Sequence, residues 1–466
     1  MVIYDMLKNY FVTKSINVQK KHSVRSDLSL WGLCINERGR ITVRGEEVDE
    51  MTKKFGSPLM VVNKDRLIID AQSIQSAIEQ VGRSSKVLYS YKTNCTPGIL
   101  NELHSIGIGA EVISPYELWL AEKLHVPGDS VIYNGVDKTE DSLVRAIEMR
   151  ILSINIDSLE EIERIAAVSR GLKRKARIGI RLGFVAKAQF GLEIDSGEAM
   201  EACRRIAHLS DCLELTCIHF CVVSNARNSA SHSTYAGKAL EFMCSVKQQT
   251  GLEVRYLDVG GGIGVPTTKN MSGLEYGLYR LFGCLPSPPE PQDYEEIGSF
   301  VGNIDAFVKK TCLELNLEPP GLILEPGRYV TSRAQFLLST VLSIKEKTGG
   351  VKFAITDAGR LSTSFPCDFE LHEMFLADQT AKNNMEVYNV MGRICTSADW
   401  MMKNRLLPEL QQGDVLVTMD AGAYFSSYST NFAFPRPAVV MVSDAGSELL
   451  RKEESFEHLT LLDACM

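Results

Sequence analysis

Lys92 closes the run VLYSYKTN, where an apolar stretch gives a lysine little reason to be. A lysine held at such a place loses hydration and its pKa falls. Its amine then becomes able to condense with a carbonyl. The plainer reading is a lysine that snorkels to water or pairs with an acid. VRYLDVGGGIGVP sets Gly260, Gly261 and Gly262 straight after a strand-like run. Backbone N–H groups of such a loop close around a phosphate, although a tight turn without ligand has the same composition. A dinucleotide fingerprint needs G-x-G-x-x-G opening a helix, and Pro266 spoils that start. LEPGRYV holds Glu325, Gly327 and Arg328 around a Pro-Gly turn. A carboxylate facing a heteroaromatic ring nitrogen would keep it protonated; otherwise the acid and the arginine form an ordinary surface pair. IHFCVVSN brings His219, Cys221 and Ser224. ICTSADW brings Cys395, Thr396 and Asp399, and DAGAYFSSYSTNF brings Tyr424. Cys395 is more often a small buried hydrophobe than a nucleophile. Tyr424 is placed to reach a phosphate, or to pack.

These residues need a scaffold, and the patterning supplies one. Val87–Tyr91, Ala110–Ile113, Ser130–Tyr133, Leu152–Ile156, Arg177–Leu182, Leu215–Phe220, Val254–Val259 and Leu322–Leu324 read as short strands, most followed by helical periodicity. Alternating strands and helices imply a parallel sheet, and eight such strands close a TIM (β/α)8 barrel. An open doubly wound sheet is the alternative. In the barrel, Lys92, Glu111, Ser114, Asn134, Asp157, Arg181, His219, Gly260 and Glu325 all fall at or just beyond the C-terminal strand ends, where barrels carry their chemistry. From about Ser332 the pattern changes. Gln335–Lys345, Val351–Thr356, Val387–Met391, Asp414–Met419 and Ala438–Val442 read as strands with few helices between them, which predicts a β-rich C-terminal domain. The expected organisation is an N-terminal segment 1–57 lending strands to that domain, a barrel over 58–330, and the β-rich domain over 331–466. GCLPSPPEPQ, at 283–292, reads as a loop, and the last dozen residues read as a loose tail.

Composition excludes several classes. Hydrophobic residues make 45% of the 466 and the net charge is -8, an ordinary globular balance with no electrostatic footprint for nucleic acid or anionic membrane. No run spans a bilayer, and Asp5 and Lys8 interrupt the N-terminus before any signal-like apolar core. The 12 cysteines scatter from Cys34 to Cys465 without a CxxC pair, so a cytoplasmic protein with reduced thiols is expected. The 8 histidines show no metal-ligand spacing, and no metal is expected.

The order of the motifs is more specific than any one of them. Y-x-Y-K-x-N, a His-containing strand ending in Ser, L-D-V-G-G-G-x-G, E-P-G-R, C-x-S-x-D and G-A-Y follow one another from about Pro58 to Val442. This series resembles the fold-type III pyridoxal phosphate decarboxylases, the diaminopimelate and ornithine decarboxylase family. The resemblance implies a barrel plus a β-rich domain, pyridoxal 5'-phosphate as cofactor, an amino acid as substrate, and a homodimer with shared active sites. It makes Lys92 the lysine that carries the cofactor. Gly260, Gly261, Gly262, Gly327 and Arg328 would surround the phosphate, helped by Tyr424, and Ser224 would lie near the cofactor. Glu325 would pair with the ring nitrogen and His219 would lie near the ring. Cys395 and Asp399 would come from the partner chain, Cys395 as proton donor. Racemases of this fold use an arginine at the ring nitrogen, so Glu325 favours decarboxylation.

The departures bear on substrate. Where the family carries a stacking histidine and a glycine, this chain has Cys221 and Val223. The family's C-E-S-G-D becomes Cys395-Thr396-Ser397-Ala398-Asp399, and the arginine that precedes a proline in the family is Phe365. Thr396, Asp399, Phe365 and Arg328 are the expected substrate contacts. A site without the distal glutamate and arginine has lost its means of holding a charged distal end, so diaminopimelate is not the expected substrate. A decarboxylase of another amino acid or amino-acid conjugate, in specialised biosynthesis, is the first expectation. A non-catalytic homologue acting as a regulator, and a racemase or β-replacement enzyme on the same scaffold, are the alternatives.

Overall fold

The eight apolar runs become eight parallel strands of a closed barrel in a computed structural model that describes residues 2–23, 27–184, 188–380 and 384–464. In chain order they are β1 (Lys86–Ser90), β2 (Gly109–Val112), β3 (Val131–Tyr133), β4 (Ser153–Ile156), β5 (Ala176–Arg181), β6 (Leu213–His219), β7 (Tyr256–Asp258) and β8 (Gly321–Leu324). Each pairs in parallel with its neighbour, and β8 closes on β1 through Ile323↔Lys86 and Leu324↔Val87. The open-sheet alternative is thereby excluded. Leu88, Ile132, Cys217 and Ile323 on the strands pack with Leu152, just before β4, as a buried cluster. Truncating one of the large ones to alanine costs about 2–5 kcal/mol. Between the strands, helices start where the sequence offers caps. Ser114 accepts the Glu117 N–H ahead of Pro115–Lys123, and Thr139 accepts the Ser142 N–H ahead of Glu140–Glu148; each such cap contributes about 1 kcal/mol. The barrel residues form one compact unit, Ile68–Gly264 with Tyr294–Val330.

The second unit comprises Met1–Leu67, Val265–Asp293 and Thr331–Met466. Its main sheet runs through Trp400–Pro408, Met385–Met391, Val351–Thr356, Gln335–Lys347, Leu59–Asn63, Ala438–Ser443 and Gly446–Arg451. The strand Gln335–Lys347 is long enough to serve two neighbourhoods. Its first half pairs with Leu59–Asn63 and Val415–Thr418, its second half with Val351–Thr356. Trp31, Ile41, Val43, Val61, Phe336, Leu338, Val417 and Val440 belong to its buried core. Two details differ from the expected boundaries. Leu59–Asn63 lies in this sheet rather than opening the barrel, because its five residues are all buried between Gln335–Lys347 and Ala438–Ser443. Val265–Asp293 also groups with this unit, with Lys269–Asn270 pairing to Glu370–Leu371. Leu33–Ile35, Ile41–Val43 and Glu46–Glu47 form their own three-stranded sheet.

Trp400–Pro408 is an edge strand, and the helix Val2–Ser23 covers it. Gln19 Nε2 donates to Asn404 O at 2.9 Å, and Leu406 N–H donates to Gln19 Oε1 at 2.9 Å, so one amide side chain pairs as a strand backbone would. Part of the expected loose tail, Phe456–Thr460, is a short exposed helix capped by Ser455. Cys465 lies outside the described residues. Among those residues no helix is long and apolar enough to cross a membrane.

Candidate active site

The barrel brings Lys92, His219, Ser224, Gly260–Gly262, Glu325, Gly327 and Arg328 to the ends of β1, β6, β7 and β8. Lys92 stands in the single turn Tyr91–Thr93 that ends β1. Its Nζ lies 3.1 Å from Glu111 Oε2; the lysine side chain is 40% exposed and the glutamate 0%. Glu111 is the inward residue near the end of β2, and Ser90 Oγ also donates to its Oε2, at 2.5 Å. Asn134, just after β3, donates from Nδ2 to Glu111 Oε1 at 2.9 Å and to Glu325 Oε1 at 2.8 Å. Asn155 on β4 in turn donates to Asn134 Oδ1 at 2.8 Å. A string of buried polar groups thus joins Lys92 to Glu325 across four strands. Inside a barrel such groups persist only when their hydrogen bonds are made.

Glu325, His219 and Asp258 form the other end of that string. Their ligand atoms lie within 4.8 Å of one another, with His219 Nε2 3.4 Å from Glu325 Oε2. Burial alone would raise both acids, but they part company. For Glu325, His219 and Lys92 outweigh burial and hold the carboxyl down to about 2. For Asp258, burial and then the Glu325 charge push the carboxyl well above its usual value. The pair therefore carries one negative charge, on Glu325, and Asp258 keeps a proton. Asp258 also accepts the Gly260 N–H at 2.9 Å, fixing the start of the glycine loop.

That loop is tight enough to require its composition. A Cβ on Gly261 would stand 2.2 Å from Glu325 O, and one on Gly262, at φ +77°, 2.1 Å from Val223 O. Ser224 follows directly on this contact and is exposed. A Cβ on Gly327 would meet Thr93 Oγ1 at 2.0 Å, so the turn after β8 lies against the turn that bears Lys92. Arg328 is buried and opens the short helix Arg328–Thr331. Cys221 is exposed to solvent, yet enough protein surrounds the thiol that desolvation raises its pKa, against the pull of Lys92. It is a residue at a recessed opening.

These features fit pyridoxal phosphate. A cradle closed to any side chain, a lysine with one open face, and a buried acid kept ionised are what its phosphate, aldehyde and ring nitrogen need. His219 Nδ1 has no hydrogen-bond partner among the described residues, which leaves this ring able to face another ring.

Phe365, Cys395, Thr396, Asp399 and Tyr424 all lie in the sheet unit. Cys395 and Thr396 are exposed on the segment before Trp400–Pro408. Asp399, expected among the substrate contacts, is fully buried: Oδ1 accepts the Leu361 N–H and Oδ2 the Ile394 N–H, each at 3.0 Å. It shapes the loop that displays Cys395. Phe365 packs 5.2 Å from Tyr428, and Tyr428 6.1 Å from Tyr424, an aromatic file with Tyr428 49% exposed. Two arginines lie on these segments. Arg360 is held by Asp368 at 3.0 Å and Ala398 O at 3.0 Å, and Arg393 lies over the Phe434 ring at 3.9 Å. Asp420 fixes the turn leading to Tyr424, accepting from Trp31 Nε1, Thr267 Oγ1 and Ser332 Oγ at 2.9, 2.7 and 3.0 Å. Sequence reasoning missed Asp258 as a partner of Glu325. Its signal was an acid at the last inward place of β7, immediately before the glycines.

Comparison with known proteins follows the same division. The family model described as pyridoxal-dependent decarboxylase, pyridoxal binding domain, matches residues 68–332, and the one described as pyridoxal-dependent decarboxylase, C-terminal sheet domain, matches residues 328–422. A diaminopimelate decarboxylase of Methanocaldococcus jannaschii is 28% identical over 443 residues, 91% of this chain and 95% of that protein. One from Aquifex aeolicus is 27% identical over 439 residues, 90% of this chain and 95% of that protein. The crystal structure of the M. jannaschii diaminopimelate decarboxylase in co-complex with L-lysine superposes with a TM-score of 0.81 at 28% identity, over 92% of this chain and 97% of that one.

Proposed function

The chain belongs to the pyridoxal-dependent decarboxylases, enzymes that use pyridoxal phosphate to decarboxylate amino acids, and from that premise we propose that its substrate is an amino acid or amino-acid conjugate with an uncharged distal end. The observation that carries this is the pairing of Phe365 with Tyr428 at 5.2 Å, beside a segment whose exposed positions are Cys395, Thr396 and Ser397. Aromatic and hydroxyl groups there offer a distal ammonium or carboxylate no ionic partner, so the polar contacts by which a site selects a charged end are missing.

When bound, pyridoxal phosphate supplies the electron sink into which the bond pair left by carbon dioxide flows. In this reading Lys92 binds the cofactor and yields to the substrate amine. Gly260, Gly261, Gly262, Ser224, Gly327 and Arg328, with Tyr424, hold the phosphate. Glu325, ionised and buried, holds a proton at the ring nitrogen, and His219 lies beside the ring. Glu111 holds the Lys92 side chain in place, so that its amine, once it has lost its proton, is ready to release product. Cys395 returns a proton to the α-carbon from the partner subunit of a homodimer, and Asp399 keeps its loop in shape. A reducing, cytoplasmic setting belongs to the same reading, since among the described residues the cysteines are free thiols.

The names of the relatives favour a second reading, in which diaminopimelate itself is the substrate. Carbon dioxide release by the purified, cofactor-loaded protein separates the two. A panel of aromatic, aliphatic, basic and dicarboxylic amino acids is expected to give turnover on the uncharged members and little on meso-diaminopimelate. Efficient turnover of meso-diaminopimelate overturns the first reading and establishes the second.

A further inference from the structure

The carbonyls of the glycine loop are each drawn away from it by a different donor. Gly260 O accepts the Glu325 N–H at 2.9 Å. Gly261 O faces His232 Nε2 at 2.9 Å. Gly262 O accepts the Ala226 N–H at 2.7 Å. In a trans peptide the C=O and the following N–H point to opposite sides. The N–H groups of Gly261, Gly262 and Ile263 are therefore turned the other way. Two of the three clamps are backbone groups that come with the barrel. The middle one is a side chain.

His232 is well built for that place. It lies in the first turn of the helix Ala230–Thr250, is fully buried, and meets the Phe300 ring edge-on at 5.1 Å and 71°. Burial disfavours the charged ring and lowers its pKa, so the imidazole is neutral. A carbonyl only accepts, which assigns the single ring proton to Nε2. The approach to the helix is anchored as well: Ser229 N–H donates to Glu295 Oε2 at 2.8 Å, and Glu295 N–H to Arg227 O at 2.8 Å.

We propose that His232 is a positioning residue of the phosphate cradle, its Nε2–H holding the Gly261 carbonyl outward so that the Gly262 N–H is presented to the cofactor's phosphate. The proposal rests on the reading of this loop as the phosphate site. His232 touches neither substrate nor cofactor and acts through the peptide it orients.

The test compares pyridoxal phosphate with pyridoxal, which has the aldehyde and ring but no phosphate. Their affinities are measured by equilibrium dialysis on the full-length wild type, His232→Phe and His232→Gln. Phenylalanine keeps an aromatic edge for Phe300 and loses the donor; glutamine keeps a donor. The expected result is an about tenfold weaker hold on pyridoxal phosphate in His232→Phe, pyridoxal affinity within about twofold of wild type, and recovery in His232→Gln. Equal losses for both ligands, no loss for either, or a His232→Gln as weak as His232→Phe overturns the proposal. A wild type that binds pyridoxal as tightly as pyridoxal phosphate overturns it at its premise, because the loop then holds no phosphate.

Discussion

Lys92 Nζ stands 3.1 Å from Glu111 Oε2, an ion pair in which one member is partly open to solvent and the other is sealed in the barrel. The carboxylate is fixed from behind by Ser90 and Asn134, so it does not follow the lysine when the lysine moves. Two substitutions separate the roles. Lys92→Ala is expected to abolish the visible absorbance of bound cofactor together with activity. Glu111→Gln keeps the lysine and its absorbance, but loses the charge that steadies the ammonium, and kcat is expected to fall about 10–100-fold. Absorbance spectra and turnover on the two variants check this; a Glu111→Gln enzyme of full activity contradicts it.

Glu117 supplies a pH dependence to the same place. Its Oε2 accepts the Ile113 N–H at 2.7 Å. Burial pushes its carboxyl up to about 7, the Ile113 bond opposing and Glu111 adding to the rise, with Lys92 acting the other way. As pH climbs through that value a second negative charge appears near Lys92. The folded pKa is raised, so the stability linked to Glu117 is fully present below about 4.5 and is lost as pH rises through about 7. A spectral titration of the cofactor-loaded protein is expected to show an inflection near pH 7 that Glu117→Gln removes. An inflection that persists in the variant assigns it to another group.

Much of this was legible in the chain. The barrel strands were readable because parallel strands buried on both faces are short unbroken apolar runs bounded by polar turns, and VLYS, SINI and LIL have that form. Lys92, the glycines and Glu325 were readable because each breaks a local rule at a strand end. Trp400–Pro408 could be given no bounds, since WMMKNRLLP shows no alternation: its neighbours on each side, Met385–Met391 and the helix Val2–Ser23, bury residues of both parities. The start of the sheet unit at Leu59–Asn63 was misplaced for a related reason. A fully buried five-residue strand reads alike whether it belongs to a barrel or to a mixed sheet, and only its distant partners, Gln335–Lys347 and Ala438–Ser443, decide. His232 carried no signal at all; its role depends on which carbonyl the fold places in front of it.

Phe365 is the residue through which substrate choice is most directly altered. It closes the aromatic file with Tyr428 and Tyr424, while Arg360 is held by Asp368 and Arg393 lies over the Phe434 ring. Phe365→Arg adds a cation to the short helix Phe365–Asp368, whose own carboxylate, Asp368, is already shared by Arg280 and Arg360. Relative kcat/KM for substrates with a distal carboxylate, against those with an apolar end, is expected to rise about 10- to 100-fold, the range of one new ionic contact at a binding site. Competition between one substrate of each kind measures the ratio directly. An unchanged ratio removes Phe365 from the substrate's surroundings.

The sheet unit holds its own charge in a closed setting. Glu373 is buried, with Arg405 Nη2 2.6 Å from Oε2 and His22 Nε2 3.3 Å from Oε1. Burial would raise its carboxyl, but Arg405 and then His22 outweigh burial and hold it from the usual 4.5 down to about 2. The sign follows from the direction: a depressed pKa gives stability that is fully present above the unfolded value near 4.5 and is lost as pH falls toward about 2. The shift corresponds to roughly 3 kcal/mol. Replacing Glu373 by glutamine leaves Arg405 buried without its counter-charge, which costs about 3–5 kcal/mol near neutral pH. Urea unfolding of wild type and Glu373→Gln, from about pH 7 to about pH 3, is expected to show a large gap at the upper end that narrows as the solution is acidified. The narrowing is the discriminating feature: a gap of constant size would mean that the variant lost packing alone, and that the Glu373 charge contributes nothing to the attachment of the N-terminal helix through His22.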